Sequence, residues 1–213
     1  MLVVAKEIDE LVAVAKCRIA SFPKSLSSKL GVNFVVNMLA FYLTGRNFLI
    51  YYKNEEGECV GYVTAMIPES GFSCSTRESI NFTFNKLIIG LVKKPWLFFH
   101  PIVIKEYKVA IEMVLRRIKH ISLEENSHAN VPEELLNSAG LIDIAVQPKF
   151  QKQGYSSKLL KSFEENCFII GIRRMHLSVK PENNSAIKSY IRNGWIILSQ
   201  NTNQITFIKN QIT

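Results

Sequence analysis

The sequence lacks a long apolar segment and a secretory signal. Its longest uncharged apolar run, residues 95–104, has ten residues, whereas about 20 are needed to cross a bilayer. Residues 1–9 do not combine a basic start, an apolar core and a small-residue cleavage site, which are the marks of a secretory signal. We therefore expect no transmembrane segment and a cytoplasmic location.

Cysteine is scarce, and its spacing argues against the common metal and redox motifs. The four cysteines are Cys17, Cys59, Cys74 and Cys167. No two of them form a C-x-x-C pair, so neither a zinc site nor a thioredoxin-like motif is predicted. Isolated cysteines of this kind are usually small buried apolar groups, and we expect no metal site and no catalytic thiol.

Acidic residues are fewer than basic ones, which leaves a formal net charge of +8. This surplus would attract an anionic ligand, but lysines and arginines on a solvated surface explain it equally well. Aromatic residues do not alternate with the basic ones and no helix-turn-helix pattern is evident, so nucleic acid is not an expected partner. The composition is otherwise globular, and 213 residues predict a single domain over residues 1–213.

The periodicity of apolar residues predicts an α/β fold. The first part of the chain has the order strand, helix, helix, strand, strand, in residues 2–6, 9–20, 33–44, 48–53 and 59–67, with Asp9 as the expected cap of the first helix. From residue 140 the order is strand, helix, strand, helix, strand, strand, in residues 141–146, 155–170, 175–179, 185–192, 195–199 and 204–208. Such alternation predicts a mixed sheet with helices on both faces.

Residues of about 69–139 form an insertion with a different pattern. Residues 84–92 and 102–120 have helical spacing, and residues 124–130 are a polar loop. Long insertions are more often functional than idle. We expect its large apolar side chains to be buried, most simply against the sheet, with docking to a membrane surface as an alternative: Phe84, Leu87, Ile88, Leu91, Trp96, Phe98 and Phe99.

One strand-to-helix connection has the character of an anion site. After the strand 141–146 comes a loop with Gly154 and Ser156, which opens the next helix. The first turn of a helix carries unpaired N–H groups and the positive end of the helix dipole, and both suit a phosphate. The pattern alone also fits an ordinary turn, and neither G-x-x-x-x-G-K-[S/T] nor G-x-G-x-x-G is present.

Two motifs in the correct order resemble those of the GNAT family of N-acetyltransferases. Residues 144–148 read I-A-V-Q-P, followed by Gln151-x-x-Gly154-x-Ser156, similar to the family's Q/R-x-x-G-x-G/A with serine at the last position. Residues 183–195 are similar to N-x-x-A-x-x-x-Y-x-x-x-G-F, with tryptophan at the end. The resemblance covers residues 140–197. It implies a GNAT-like, mostly antiparallel sheet flanked by helices, with the insertion placed before the central cofactor-binding strand.

The resemblance also implies acetyl-CoA as co-substrate and a set of residues that bind it. The strand at 141–146 would part from its neighbour and pair with the pantetheine arm, and the following loop would hold the pyrophosphate. Asn183 would contact the cofactor, or cap a helix, or do both. The implied contacts are Ile144, Ala145, Val146, Gln151, Lys152, Gln153, Gly154, Tyr155, Ser156, Ser157 and Asn183.

The implied reaction is direct attack of an amine on the thioester. Tyr190 matches the tyrosine that protonates the leaving thiolate, although a core aromatic would look the same in the sequence. A backbone N–H near Val146 would stabilise the oxyanion. The general base is left open between Asp143, His100 and Glu106, and Asp143 faces away from the cleft if Ile142 and Ile144 face it.

The acceptor is left open as well. The helical insertion and residues 22–31 resemble acyltransferases of polysaccharide biosynthesis, which implies an amino sugar or another small amine. A protein amine, a longer acyl-CoA and a non-catalytic CoA-binding module with a regulatory role are the alternatives. The insertion is expected to wall the acceptor site or to form a homodimer contact.

Overall fold

The computed structural model describes residues 1–68, 74, 76–101, 103–104 and 132–210. Only residues 103–104 of the predicted helix 102–120 are described. The polar loop 124–130 and Glu106 lie outside the described residues. The strands are β1 Leu2–Val4, β2 Phe48–Lys53, β3 Cys59–Met66, β4 Ala139–Val146, β5 Arg174–Val179, β6 Ile196–Gln200 and β7 Ile205–Asn210. The described α-helices are α1 Glu10–Ser21, α2 Leu26–Leu30, α3 Val32–Ala40, α4 Thr76–Lys93, α5 Tyr155–Ile169 and α6 Asn184–Arg192.

The described strands form one sheet in the order β1-β2-β3-β4-β5-β7-β6. Every neighbouring pair is antiparallel except β4 and β5, which are parallel. One buried cluster, which includes Phe163 and Trp195, packs α5 and α6 on one face. A second, which includes Leu11 and Leu39, packs α1 and α3 on the other face. The expected mixed, mostly antiparallel α/β fold is confirmed.

The central strands β4 and β5 separate part of the way along their length. Their pairing covers only Ala139 to Leu141 of β4, which lie opposite Met175 to Leu177 of β5. The rest of β4 continues to pair with β3 as far as Val146. A wedge-shaped opening therefore lies between two strands in the middle of the sheet, as the resemblance implied.

A bulge in β4 changes which side chains face each side of the sheet. Leu141 lies opposite Ala65 and Asp143 opposite Thr64, so Ile142 is an extra residue in the ladder. Ile142 packs with the α1 and α3 cluster, whereas Ile144 packs with the α5 and α6 cluster. The condition under which Asp143 would face away, that Ile142 and Ile144 share a face, is therefore not met, because the extra residue breaks the alternation of side chains.

The helices differ from expectation in two places. Asp9 makes no side-chain cap. Instead Glu10 accepts hydrogen bonds from the backbone N–H groups of Lys6 and Glu7, at 2.8 and 3.0 Å. The short helix α2 was not predicted; Ser25 caps it by accepting from Ser28 N at 3.2 Å.

The insertion helix α4 packs against α2 and α3. Phe84 and Leu91 are buried, whereas Ile88, Trp96 and Phe99 are 38%, 63% and 79% exposed. The expectation of burial is therefore wrong for the last three, and the side chain of Phe98 lies outside the described part of the structure. Within the described residues, no helix combines the length and apolar character needed to span a membrane.

Candidate functional site

The opening between β4 and β5 leads into a cavity of about 480 Å³. Its walls come from the bulged part of β4, the end of β5, the connection after β5, and α6. The lining residues are Leu141, Ile142, Asp143, Ile144, Leu177, Ser178, Val179, Lys180, Glu182, Asn183 and Tyr190. Apolar and polar side chains both line the cavity, and polar atoms make up the larger part of its exposed surface.

Tyr190 lies on α6 and is 7% exposed. Its ring packs against Phe207 and Trp195, with centroid separations of 5.6 and 6.4 Å, while the residue also lines the cavity. Burial and the nearby charge of Asp143 raise the pKa of Tyr190 to about 12. Tyr190 is thus both a core aromatic and a protonated hydroxyl group beside the cavity.

Asp143 lies on the bulge and also lines the cavity. Its Oδ2 accepts a hydrogen bond from Arg18 Nε at 2.8 Å and another from the Tyr62 hydroxyl at 2.7 Å. In the described part of the chain, Oδ1 has no hydrogen-bond partner. The side chain of Asp143 is 20% exposed, so this carboxylate is partly desolvated, paired on one oxygen and open on the other.

The edge of β4 that faces the cavity carries backbone groups released by the parting of the strands. Gln147 N donates to Val60 O at 2.9 Å. Because hydrogen bonds alternate along an antiparallel pair, Ala145 also points its N–H toward β3, while Ile144 and Val146 point theirs to the opposite edge. The carbonyl of Val146 accepts from Gln151 Nε2 at 3.2 Å. Of the two residues whose N–H groups point away from β3, Ile144 lines the cavity.

The loop before α5 has the geometry of an anion site. Gly154 is the residue before the helix, with φ of 81°, and no side chain caps the first turn there. A Cβ at Gly154 would have no heavy atom within 4 Å, so the space in front of the helix is open. Gln151, Lys152, Gln153 and Gly154 are exposed, and Tyr155, Ser156 and Ser157 are half-buried.

Side chains at both ends of this loop connect it to its surroundings. At the start, Glu58 accepts from Lys149 Nζ at 2.6 Å and from Gln147 Nε2 at 3.2 Å. At the helix, the Tyr155 ring contacts Tyr52, with the ring centroids 4.8 Å apart. Such supports hold a loop in one conformation before a ligand arrives.

Ser157 and Asn183 also form local hydrogen bonds. Ser157 Oγ accepts from Asn193 Nδ2 at 3.1 Å, which links the first turn of α5 to the end of α6. Asn183 caps α6, since its Oδ1 accepts from Ala186 N at 3.2 Å, and it lines the cavity as well. Of the expected cofactor contacts, Ile144 and Asn183 meet in the cavity, while the side chain of Ala145 packs on the α1 side.

Two histidines, the candidate base His100 and His176 on β5, do not line the cavity. His100 Nε2 lies 3.1 Å from Lys24 O, beside the connection between α1 and α2. His176 Nδ1 lies 2.7 Å from Ser138 Oγ, and burial lowers the pKa of His176 to about 4. The described residues contain no cluster of three or more His, Cys, Asp or Glu side chains suited to a metal ion.

Sequence reasoning missed Arg18, Tyr62 and Ser27. Arg18 Nη1 donates to Ser27 Oγ at 2.6 Å while its Nε donates to Asp143. The chain separation between Arg18 and Asp143 is 125 residues. No local pattern could have linked these residues, because only the folded sheet brings α1 beside β4.

Part of the sequence is similar to known acetyltransferases. The sequence profile of the "Acetyltransferase (GNAT) family" matches residues 121–195. A curated relative, the [ribosomal protein bS18]-alanine N-acetyltransferase of Haemophilus ducreyi, is 34% identical over 97 residues. That match covers 43% of this chain and 62% of the relative.

Two solved structures have a similar fold. Ard1 from Thermoplasma volcanium is 12% identical, with a TM-score of 0.54, and the match covers 100% of this chain and 99% of that one. The PaiA N-acetyltransferase from Thermoplasma acidophilum, solved with coenzyme A, is 10% identical, with a TM-score of 0.52 and 99% of both chains covered. At these identities the likeness concerns the fold alone.

Proposed function

We propose that the chain transfers an acetyl group from acetyl-CoA to a primary amine, because the GNAT acetyltransferase profile matches residues 121–195 and a curated N-acetyltransferase is 34% identical over 97 residues. The observation that carries this proposal is the parting of β4 from β5 beside Tyr190, with a cavity between them. An ordinary sheet closes this space with hydrogen bonds. Here the backbone edge of β4 is instead available to a ligand.

The cofactor is proposed to lie along β4 with its phosphates at the start of α5. The pantetheine arm would pair with the free edge through the Ile144 carbonyl and the Val146 N–H, next to Ala145, as an added strand would. The pyrophosphate would accept hydrogen bonds from the N–H groups of residues 151–157, where the helix dipole favours negative charge. Support comes from the open space at Gly154 and the uncapped first turn. Asn183 would contact the cofactor from the cavity wall.

The chemistry proposed at the cavity needs no covalent enzyme intermediate. The amine nitrogen attacks the thioester carbonyl carbon, and the new C–N bond forms as the C–S bond breaks. The N–H of Ile144 would donate to the developing oxyanion, since it points to the cavity edge. Tyr190 would give its proton to the leaving thiolate and regain one from solvent.

Asp143 is proposed as the acceptor of the amine proton. It lines the cavity, one of its oxygens has no partner in the described structure, and it lies close enough to Tyr190 to raise that residue's pKa. The same negative charge therefore attracts an ammonium ion and keeps Tyr190 protonated. His100 is a weaker candidate, because it lies against the α1–α2 connection and not in the cavity.

For the acceptor, a protein amine is now the better-supported class. The relative from Haemophilus ducreyi is named for the alanine of a ribosomal protein, which favours a terminal amine of a protein. The amino sugar implied by residues 22–31 is the second candidate. A CoA-binding module without catalysis is the alternative outside enzymes, and it requires neither Asp143 nor Tyr190.

The first test measures binding of acetyl-CoA and CoA by calorimetry to wild type and to Gly154→Asp. A carboxylate at residue 154 would stand in the space proposed for the pyrophosphate, so we expect affinity to fall by at least about tenfold, or 1.4 kcal/mol. Wild type should then acetylate an alanine-starting peptide in a screen that also contains glucosamine.

Gly171→Asp is the matched control, because Gly171 also has a positive φ of 84° and open space around it, at the other end of α5. The same backbone strain there should leave CoA affinity unchanged. Equal losses in both variants would show that strain alone is responsible and would contradict the cofactor site. Binding without acetylation of any amine would favour the non-catalytic module.

A further inference from the structure

Arg18 connects three elements around the cavity. Its Nε donates to Asp143 Oδ2 at 2.8 Å, and its Nη1 donates to Ser27 Oγ of α2 at 2.6 Å. Its side chain is only 15% exposed, and the guanidinium lies 5.6 Å from the centroid of the Phe22 ring. A guanidinium with two directed hydrogen bonds is held in one orientation, and it holds its partners in turn.

The two donors on Asp143 converge on one oxygen. The Tyr62 hydroxyl, fully buried on β3, donates to the same Oδ2 at 2.7 Å. With Oδ2 occupied twice, the carboxylate cannot rotate without losing hydrogen bonds, and Oδ1 is the oxygen left for a ligand in the cavity.

The far side of Arg18 is anchored through α2. Lys94, just after α4, donates from Nζ to the last carbonyls of α2, Lys29 O at 2.8 Å and Leu30 O at 3.3 Å. The insertion therefore supports α2, and α2 supports Arg18 through Ser27. This series of contacts gives the insertion a route to the cavity that does not require it to touch a substrate.

We propose that Arg18 is a positioning residue for the acceptor amine, acting through Asp143, with Tyr62 as its second support. The proposal rests on the proposed acetyltransferase function and deepens it. The acceptor enters as an ammonium ion, which is the form of most primary amines at neutral pH. Asp143 Oδ1 holds its nitrogen and takes the first proton, which passes to solvent and leaves a neutral amine. Asp143 takes the second proton as the C–N bond forms, while Tyr190 protonates the leaving thiolate. Arg18 fixes where Oδ1 lies. Arg18 itself touches neither substrate.

The test uses two ligands that differ only in the acceptor. CoA is compared with conjugates that join CoA, through an acetyl bridge, to the terminal nitrogen of an alanine-starting peptide or to glucosamine. Wild type should bind one conjugate more tightly than CoA. In Arg18→Met this advantage should shrink by about tenfold or more, while the affinity for CoA itself stays within about twofold. The kcat/KM for the matching free amine should fall in parallel, and the KM for acetyl-CoA should not change.

A double-mutant cycle with Asp143→Asn separates positioning from a general structural role. If Arg18 acts through Asp143, adding Arg18→Met to Asp143→Asn should cause little further loss of conjugate affinity. Independent effects that multiply would overturn the proposal. Equal losses of CoA and conjugate affinity would also overturn it, because they indicate a damaged fold.

If Arg18→Met does not fold, two milder variants carry the test. Tyr62→Phe removes one hydrogen bond to Oδ2 at nearly constant volume, and Arg18→Lys keeps the charge but cannot bridge Asp143 and Ser27 in the same way. Both should lose part of the conjugate advantage and keep CoA affinity. Unchanged conjugate affinity in both, or a wild type that acetylates amines yet binds neither conjugate better than CoA, would refute the role of Arg18. A wild type that binds no CoA would refute the proposed function itself.

Discussion

At the scale of single residues, Tyr190 belongs both to the core and to the cavity wall. Its ring contacts Phe207 and Trp195 in the core, while the residue lines the cavity between β4 and β5. The raised pKa of about 12 follows from that burial and from Asp143. At neutral pH this hydroxyl is protonated, so it can donate a proton but cannot act as a base.

Replacement of Tyr190 by Phe should lower kcat by on the order of 100-fold, because the leaving thiolate loses its proton donor. The KM for acetyl-CoA should change little, since the ring keeps its packing. Steady-state kinetics with the best amine from the screen provides the measurement.

Tyr51→Phe is the control for this variant. Tyr51 is also buried, and burial together with Glu10 raises its pKa to about 12, but its hydroxyl donates to Glu10 Oε1 at 3.0 Å, away from the cavity. It should keep wild-type kcat. If both variants are equally active, Tyr190 is a core aromatic without a catalytic role.

At the scale of elements, the pair β3 and β4 sets the position of the cavity. The bulge at Ile142 re-aims Asp143, and close contact of the two strands keeps the bulge in register. The closeness is visible at Gly61, where a Cβ would lie 2.7 Å from Ala145 O. A backbone oxygen cannot move away without shifting the strand, so glycine is required here for a steric reason.

Gly61→Ala should therefore lower the free energy of unfolding by about 1–3 kcal/mol and weaken CoA binding, because β4 must shift. Gly90→Ala is the matched substitution. Its Cβ would also meet an atom at 2.7 Å, but that atom is Leu30 Cδ2, the end of a flexible side chain.

Alanine stabilises a helix interior by about 1 kcal/mol relative to glycine, which offsets the contact with Leu30. Gly90→Ala should therefore change the free energy of unfolding by less than about 1 kcal/mol. Denaturant unfolding of both variants, together with calorimetry, makes the comparison. Unchanged stability and CoA binding in Gly61→Ala would show that β3 and β4 can separate locally and that the bulge is not held rigidly.

At the scale of the whole molecule, one half-buried histidine links stability to pH. His176 lies on β5 beside Ser138, and burial lowers its pKa to about 4 from an ordinary value of 6.5. Between these values the unfolded chain binds a proton that the folded chain does not. Stability therefore falls as the pH drops from about 6.5 toward 4.

The loss attributable to His176 should approach, at most, about 3 kcal/mol at pH 4, from 1.36 kcal/mol per pKa unit. His176→Asn keeps a polar group near Ser138 but cannot titrate. Its free energy of unfolding, measured by denaturant titration at several pH values, should fall less steeply over this interval than that of wild type. Identical slopes would show that His176 is not the group responsible.

Much of the architecture follows from the sequence alone. The hairpin of β2 and β3, the strand 141–146 and the helices after it were predicted to within a few residues, because their apolar periodicity and turn residues are local signals. The two motifs at 144–156 and 183–195 indicated the loop with Gly154 and the cavity wall with Tyr190. The residue roles in these motifs, like the homodimer and the acceptor class, stay predictions.

Tertiary structure alone decided the polar side of the cavity. The bulge at Ile142 depends on pairing with β3, and a one-residue change of register reverses which side chains reach each face. Asp143 is 125 residues from Arg18 and 81 residues from Tyr62 along the chain. Helix and strand periodicity carries no information over such separations. Sequence patterns report what each segment forms by itself, whereas the partner of a buried charge is set by which segments the folded sheet places side by side.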